Sequence, residues 1–168
     1  MCYNKIIMEG KKIQPRALLV FGAPCSGKST FAAKFAKRFG IAYYDLEELK
    51  AQYNLTNKVV FMLVEQIAKT GQNIVIEGSI GTEKEREEMR RILRPAGYLV
   101  TTVWVQTDIA TIRSRLKAKY KSVTKAKEVY DSVVPRLEAP SEIESPIILS
   151  GKHTFETQLK HILAGLSD

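Results

Sequence analysis

The stretch Gly22-Ala23-Pro24-Cys25-Ser26-Gly27-Lys28-Ser29-Thr30 constrains this chain more than any other. It follows the apolar run Ala17-Leu18-Leu19-Val20-Phe21 and opens into a segment with Phe31, Phe35 and Phe39 at the spacing of one helix face. The pattern is G-x-x-x-x-G-K-[ST] between a strand and a helix, the context a phosphate-binding loop requires. Gly22 and Gly27 let the backbone curl so that successive N–H groups point inward at phosphate oxygens. The first turn of the following helix adds unpaired N–H groups and the positive end of its dipole. Lys28 would reach the β- and γ-phosphates, and the Ser29 hydroxyl would hold Mg²⁺. Ala23, Pro24, Cys25, Ser26 and Thr30 belong to the same nucleotide cradle, Cys25 through its backbone. Such a loop implies that a nucleotide binds.

The length, 168 residues, suits one domain spanning 1–168 with a sizeable core. Apolar residues make up 45%, an ordinary globular share. No uninterrupted apolar run approaches bilayer-spanning length, and the patch near Ile6-Ile7-Met8 is too short for a secretion signal. Cys2 and Cys25 make neither a metal spacing nor a disulfide framework, so a cytoplasmic location and no membrane partner are expected. The net charge of +8 calls for anionic partners or a solvated basic face. Nucleotide phosphates answer part of it, and nucleic acid could answer the rest.

Along the chain, strands alternate with helices. Residues 1–16 read as a lead-in without periodicity. Strands are expected over Ala17–Phe21, Ile41–Tyr44, Ile74–Ile76, Leu99–Val105 and Ile147–Leu149. Helices are expected after the loop to Arg38 or Phe39, from Thr56 or Asn57 with Val60, Leu63, Val64 and Ile67 buried, and from a Thr82/Glu85 capping box to Leu93. Others carry Ile109, Ile112 and Leu116, run from about Thr124 to Val134, and turn Phe155, Leu159, Ile162, Leu163 and Leu166 inward. Three prolines make residues 135–146 a loop. This order predicts an α/β fold, a five-stranded parallel sheet with helices on both faces. Ligands then bind beyond the carboxyl ends of the strands, where the loop, Asp45, Glu77 and Asp108 converge. Trp104 and the tyrosines read as core packing rather than a base-stacking platform.

Between Ile109 and Lys127 there is no acidic residue, while Arg113, Arg115, Lys117, Lys119, Lys121, Lys125 and Lys127 all fall there. A basic run is often only a solvated helix face, but a face without mixed signs points toward an anion. Asp45 at the end of the second strand can cap the next helix, with Glu48 three residues on, or face a reacting hydroxyl.

The loop, with an acid after strand two, an acid after strand three and Arg115-Leu116-x-x-Lys119 after strand four, resembles the small P-loop kinases. That group includes polynucleotide 5′-kinases, shikimate and gluconate kinases and zeta-toxin relatives. The loop is similar to the G-x-P-x-S-G-K-S-T form of polynucleotide-kinase-like members, and Tyr43-Tyr44-Asp45-Leu46-Glu47 resembles the F-Y-D-x-D of shikimate kinases. The resemblance implies a three-layer P-loop kinase fold using ATP and Mg²⁺. It implies that Asp45, or Glu47 in another register, accepts the proton of the attacking hydroxyl, and that Glu77 helps hold the metal. It further implies a basic lid over about residues 113–127, with Arg115 and Lys119 on the phosphates and Arg113 available where Lys119 replaces an arginine. Ser150-Gly151-Lys152-His153 would border the adenine. The implied activity is ATP-dependent phosphotransfer to a hydroxyl, on a nucleic-acid 5′-end or a small metabolite. A non-catalytic or regulatory ATP-binding module, and a toxin-like kinase acting on nucleotide sugars, stay open.

Overall fold

A computed structural model describes residues 14–166, so nearly all of the expected lead-in, with Cys2, lies outside the described residues. The first strand, β1 (Arg16–Phe21), shows why the sheet is parallel. Ala17, Leu19 and Phe21 enter one apolar cluster, while Leu18 and Val20 enter another on the opposite face. A strand apolar at every position from Ala17 to Phe21 needs helices on both sides, which crossover connections supply. β1 is joined by β2 (Ala42–Asp45), β3 (Ile74–Glu77), β4 (Leu99–Gln106) and β5 (Ile147–Ser150). All pair in parallel, in the order β2-β3-β1-β4-β5. The fold class is therefore the expected one.

On one face lie α1 (Lys28–Phe39) and α7 (Phe155–Gly165), which pack Phe31, Phe35 and Ile162 against Leu18 and Val20. On the other lie α2 (Leu46–Tyr53), α3 (Asn57–Ala68) and α4 (Glu83–Leu93), burying Leu46, Val60, Val64, Met89 and Leu93. Burying each such side chain stabilises by about 1.5–3 kcal/mol relative to leaving it in water. Trp104 is half-buried and stacks on Phe21 with centroids 5.9 Å apart, a packing role as expected. A hairpin of α5 (Ile109–Tyr120) and α6 (Val123–Val133) closes over the loop, its seam of Ile112, Leu116 and Ala126 packed on Ala23.

Three expected core residues face outward. Leu63, Leu163 and Ile109 are exposed, whereas Ala68 is buried. In α3 the inward stripe is Val60, Val64 and Ala68, spaced by four, so Leu63 is turned toward water by about 100° per residue. Ile109 is the first residue of α5, ahead of the point where the helix reaches its neighbour. The proline-rich loop contains two short 3₁₀ turns, Val134–Arg136 and Glu142–Glu144.

The topology makes one crevice. The chain leaves β1 through α1 on one face and leaves β3 through α4 on the other, although the two strands are neighbours. Such a switch opens a cleft beyond their carboxyl ends, where ligands bind in open α/β sheets. The phosphate loop follows β1 and Glu77 ends β3.

Candidate nucleotide site

The loop leaves its helix unfinished. Helices α2 to α7 all begin with a side-chain cap: Asp45, Thr56, Thr82, Asp108, Ser122 and Thr154 each accept a first-turn N–H. At α1 the cap is Gly27, with φ 106°, no side-chain bond and no acid in the first turn. Its open N–H groups and dipole are left for an anion. The Ser26 hydroxyl is buried beside it without a hydrogen-bond partner among the described residues. The residue types and the bare helix end fit a nucleotide phosphate chain.

The loop is held from behind. Thr107 Oγ1 donates to the Ser26 carbonyl at 2.9 Å, and Arg115 Nη1 donates to the Cys25 carbonyl at 3.1 Å. Arg115 Nη2 reaches the Gly151 carbonyl at 3.1 Å, tying the loop to the turn after β5. A second tie, the ion pair of Lys152 with Asp108, joins that turn to the start of α5. The Lys152 ammonium, with the Thr111 amide and hydroxyl, holds the Asp108 carboxyl well below the usual carboxylate range. A cavity of about 620 Å³ opens in front, lined by Gly27, Lys28, Ser29, Thr30, Arg115, Lys119, Tyr120, Gly151, His153 and Phe155 among others. Of the Ser150–His153 turn, Gly151 and His153 line this cavity. A Cβ built on Gly151 would stand 1.7 Å from the Ser26 carbonyl oxygen, so any side chain there pushes the loop away. Gly151→Ala is expected to weaken ATP binding by about 10-fold or more, equivalent to about 1.4 kcal/mol. Titration of ATP into the folded variant checks this, and unchanged affinity would show the loop position to be unimportant.

Glu77 is the hub of the phosphate end. Its side chain is only 2% exposed, and Oε1 accepts from Ser29 Oγ at 2.6 Å and lies 3.4 Å from Lys28 Nζ. Oε2 accepts from Tyr43 Oη at 2.8 Å. Burial, then the hydrogen bond to the Glu77 carboxylate, pushes the Tyr43 phenol far above its ordinary range, so it remains a donor. The sequence shows nothing of Tyr43's part, because a tyrosine in a half-buried edge strand reads as packing.

The two acids after β2 separate. Asp45 pairs with Glu77 in the β2–β3 ladder, and strand alternation places it on the same sheet face as Tyr43. Its Oδ1 accepts the Glu48 amide at 3.0 Å, the capping role read as its alternative. Glu47 instead reaches the loop after β3, where Oε2 accepts from Ser79 N at 3.3 Å and Ser79 Oγ at 3.2 Å.

The basic lid is split by helix geometry. Arg115 and Lys119, four residues apart, share the face that lines the nucleotide cavity. Arg115 is engaged with backbone carbonyls and holds the loop. Arg113 is two positions away, about 200° around the helix. Its guanidinium lies 4.9 Å over the Tyr130 ring of α6, in a separate cavity with Lys117 and Lys127. The structure does not bring Arg113 to the nucleotide cavity.

One residue at the rim escaped sequence reading entirely. Arg86 of α4 is 0% exposed and stacks 4.4 Å over Phe21. Its Nε donates to Glu144 Oε2 at 2.8 Å, and Nη1 donates to the Gly81 and Glu138 carbonyls at 3.0 and 3.1 Å. It therefore joins the loop after β3 to the segment that leaves the lid. Glu138, in the stretch Glu138-Ala139-Pro140, adds its own carboxylate to the Glu83 amide at 2.6 Å. A charged helix of mixed signs hides which arginine faces inward.

Similarity to known proteins agrees with this construction. Residues 18–141 match a family model described as an AAA domain. No curated protein sequence matches the chain. Among solved structures, a gluconokinase from Sinorhizobium meliloti 1021 superposes with TM-score 0.71 at 17% identity, over 92% of this chain and 93% of that one. The APS kinase of Mycobacterium tuberculosis, in complex with AMPPNP and APS, superposes with TM-score 0.66 at 16% identity, over 92% and 99%. A shikimate kinase from Aquifex aeolicus gives 0.52 at 21%, over 90% and 96%. These likenesses concern the fold. With the family match covering residues 18–141 and the loop and strand order in place, the chain belongs to the AAA-domain family of P-loop NTPases and has the fold of the small P-loop kinases.

Proposed function

We propose that this protein is a Mg²⁺-dependent kinase that transfers the γ-phosphoryl group of ATP to a hydroxyl acceptor. The observation that carries the reading is the buried Glu77 carboxylate, 2.6 Å from Ser29 Oγ and 3.4 Å from Lys28 Nζ. Mg²⁺ is a hard cation that takes one or two protein oxygens and completes its shell with phosphates and water, so Ser29 and Glu77 suit it. When bound, it would neutralise charge on the β- and γ-phosphate oxygens. The longer arm of glutamate is accommodated, since it reaches Ser29 from the end of β3.

Lys28 and the open amides of α1 hold the phosphates, and Lys119 faces the charge that spreads over the transferred group. Arg115 fixes the loop from behind rather than forking a phosphate. The acceptor oxygen forms the new O–P bond as the bond to the ADP oxygen breaks, and its proton passes to the Asp45 carboxylate. A second reading gives that proton to Glu47, favoured by its position against Ser79 at the loop after β3.

A small hydroxyl metabolite is supported by fold neighbours named as gluconokinase and shikimate kinase. A nucleic-acid 5′-hydroxyl is supported by the charge of +8 and the acid-free stretch from Ile109 to Lys127. Incubation with γ-labelled ATP, Mg²⁺ and a pool of hydroxyl metabolites and 5′-hydroxyl oligonucleotides distinguishes them by which fraction gains label. Asp45→Asn is expected to slow the transfer by about 10²–10⁴-fold, the usual weight of a general base. If Glu47→Gln produces that loss instead, the base is Glu47. Equal slow ATP loss in wild type and Asp45→Asn, with no labelled product, favours a regulatory ATP-binding module.

A further inference from the structure

Among the described residues, Tyr43 is the one hydroxyl that meets the phosphate-end carboxylate from outside the loop, and the reaction scheme does not use it. Its Oη lies 2.8 Å from Glu77 Oε2, while Oε1 of the same carboxylate serves Ser29 and Lys28. A carboxylate buried to 2% exposure and free to turn about its last bond would present its two oxygens interchangeably. A donor fixed on one oxygen removes that freedom. We propose that Tyr43 is a positioning residue for the metal site, anchoring Glu77 so that Oε1 alone faces Ser29 and the cation of the ATP complex. The inference rests on the metal role proposed above for Glu77.

The geometry has three parts. β2 and β3 run in register, with Tyr43 opposite Val75 and Asp45 opposite Glu77, so the Tyr43 ring lies along the ladder and its tip reaches one step ahead. The ring packs into the cluster of Leu18, Val20 and Val75, which holds the hydroxyl at a set height below the crevice. The hydroxyl donates and the carboxylate accepts, at 2.8 Å. Partners that orient a metal-binding carboxylate from behind typically change metal affinity by about 10–100-fold when removed. Phenylalanine preserves the packing and deletes only the donor.

The test is calorimetric titration of ATP into the wild type and Tyr43→Phe, each with and without Mg²⁺. The quantity read is the ratio of the two affinities, which a packing defect would leave unchanged because it weakens both. Metal-free ATP affinity is expected to stay within about twofold, while the gain on adding Mg²⁺ falls by about 10-fold or more. In a Glu77→Gln background Tyr43→Phe should then change nothing further, since the two act as one unit. The role of Tyr43 is overturned if the variant keeps the wild-type gain, or if the effects of the two substitutions simply add. If the wild type itself shows no gain with Mg²⁺, the metal reading of Glu77 fails first and this inference fails with it.

Discussion

Lys28→Met is expected to lower phosphoryl transfer from ATP by about 10²–10³-fold or more, the weight of one preorganised charge on a developing oxyanion. Lys28 follows the uncapped Gly27, and its ammonium is 3.4 Å from the buried Glu77 carboxylate. Lys28 lines the same cavity as the open end of α1, so its ammonium can meet the phosphates of an arriving nucleotide. Methionine keeps the length and apolar stem and deletes only the charge. Ser29 and Tyr43 still donate to Glu77, so the fold is retained, with a loss of stability because the buried carboxylate no longer has its cation. Single-turnover assays with γ-labelled ATP check the rate. Without a known acceptor, ATP titration serves, with affinity down by about 10-fold. A variant that binds and transfers like wild type would remove the loop from the chemistry.

The largest effect on stability is expected at Arg86. Arg86→Met should destabilise the protein by about 3–5 kcal/mol, because it breaks a buried ion pair from one side and takes a donor from three backbone carbonyls. The guanidinium meets the Glu144 carboxylate, whose side chain is 2% exposed, together with the carbonyls of Gly81, Glu138 and Ala139. Methionine fills much of the volume over Phe21 and satisfies none of these acceptors. Arg90 alone would remain on Glu144, at 3.2 Å. For a chain of this size, about 2–4 °C accompanies each kcal/mol, so the midpoint should fall by roughly 6–20 °C. Lysine is no remedy, since a point charge cannot reach three sets of acceptors in one plane. Adding Glu144→Gln to Arg86→Met should recover part of the loss. Thermal melts of the three proteins measure it, and a shift under about 2 °C for Arg86→Met would show that the cluster contributes little.

These two residues mark how the chain divides between local and distant information. Lys28 was legible because its whole motif, with the strand before it and the helix after it, occupies one short stretch. The same holds for the caps at Asp45, Thr82 and Asp108, each set by a partner three residues away. The order of strands and helices followed from apolar runs and their periods, which are also local. Individual faces were less secure. Leu63 faces water and Arg113 faces Tyr130, because a run of apolar or basic residues does not show where its centre points until a neighbour packs against it.

The sequence by itself determined that a phosphate-binding loop lies between a buried strand and a helix, in an alternating α/β chain with acids at three strand ends. Tertiary structure decided which groups meet there. Ser29 and Glu77 are 48 residues apart, Arg86 and Glu144 are 58, and Arg115 and Cys25 are 90. No period or motif spans such intervals. Their contacts exist because parallel pairing brings β1, β2 and β3 side by side and the α5–α6 hairpin closes over Ala23. Closing those loops is opposed by chain entropy and favoured by the burial of two apolar layers, and both quantities belong to the whole fold rather than to any one stretch.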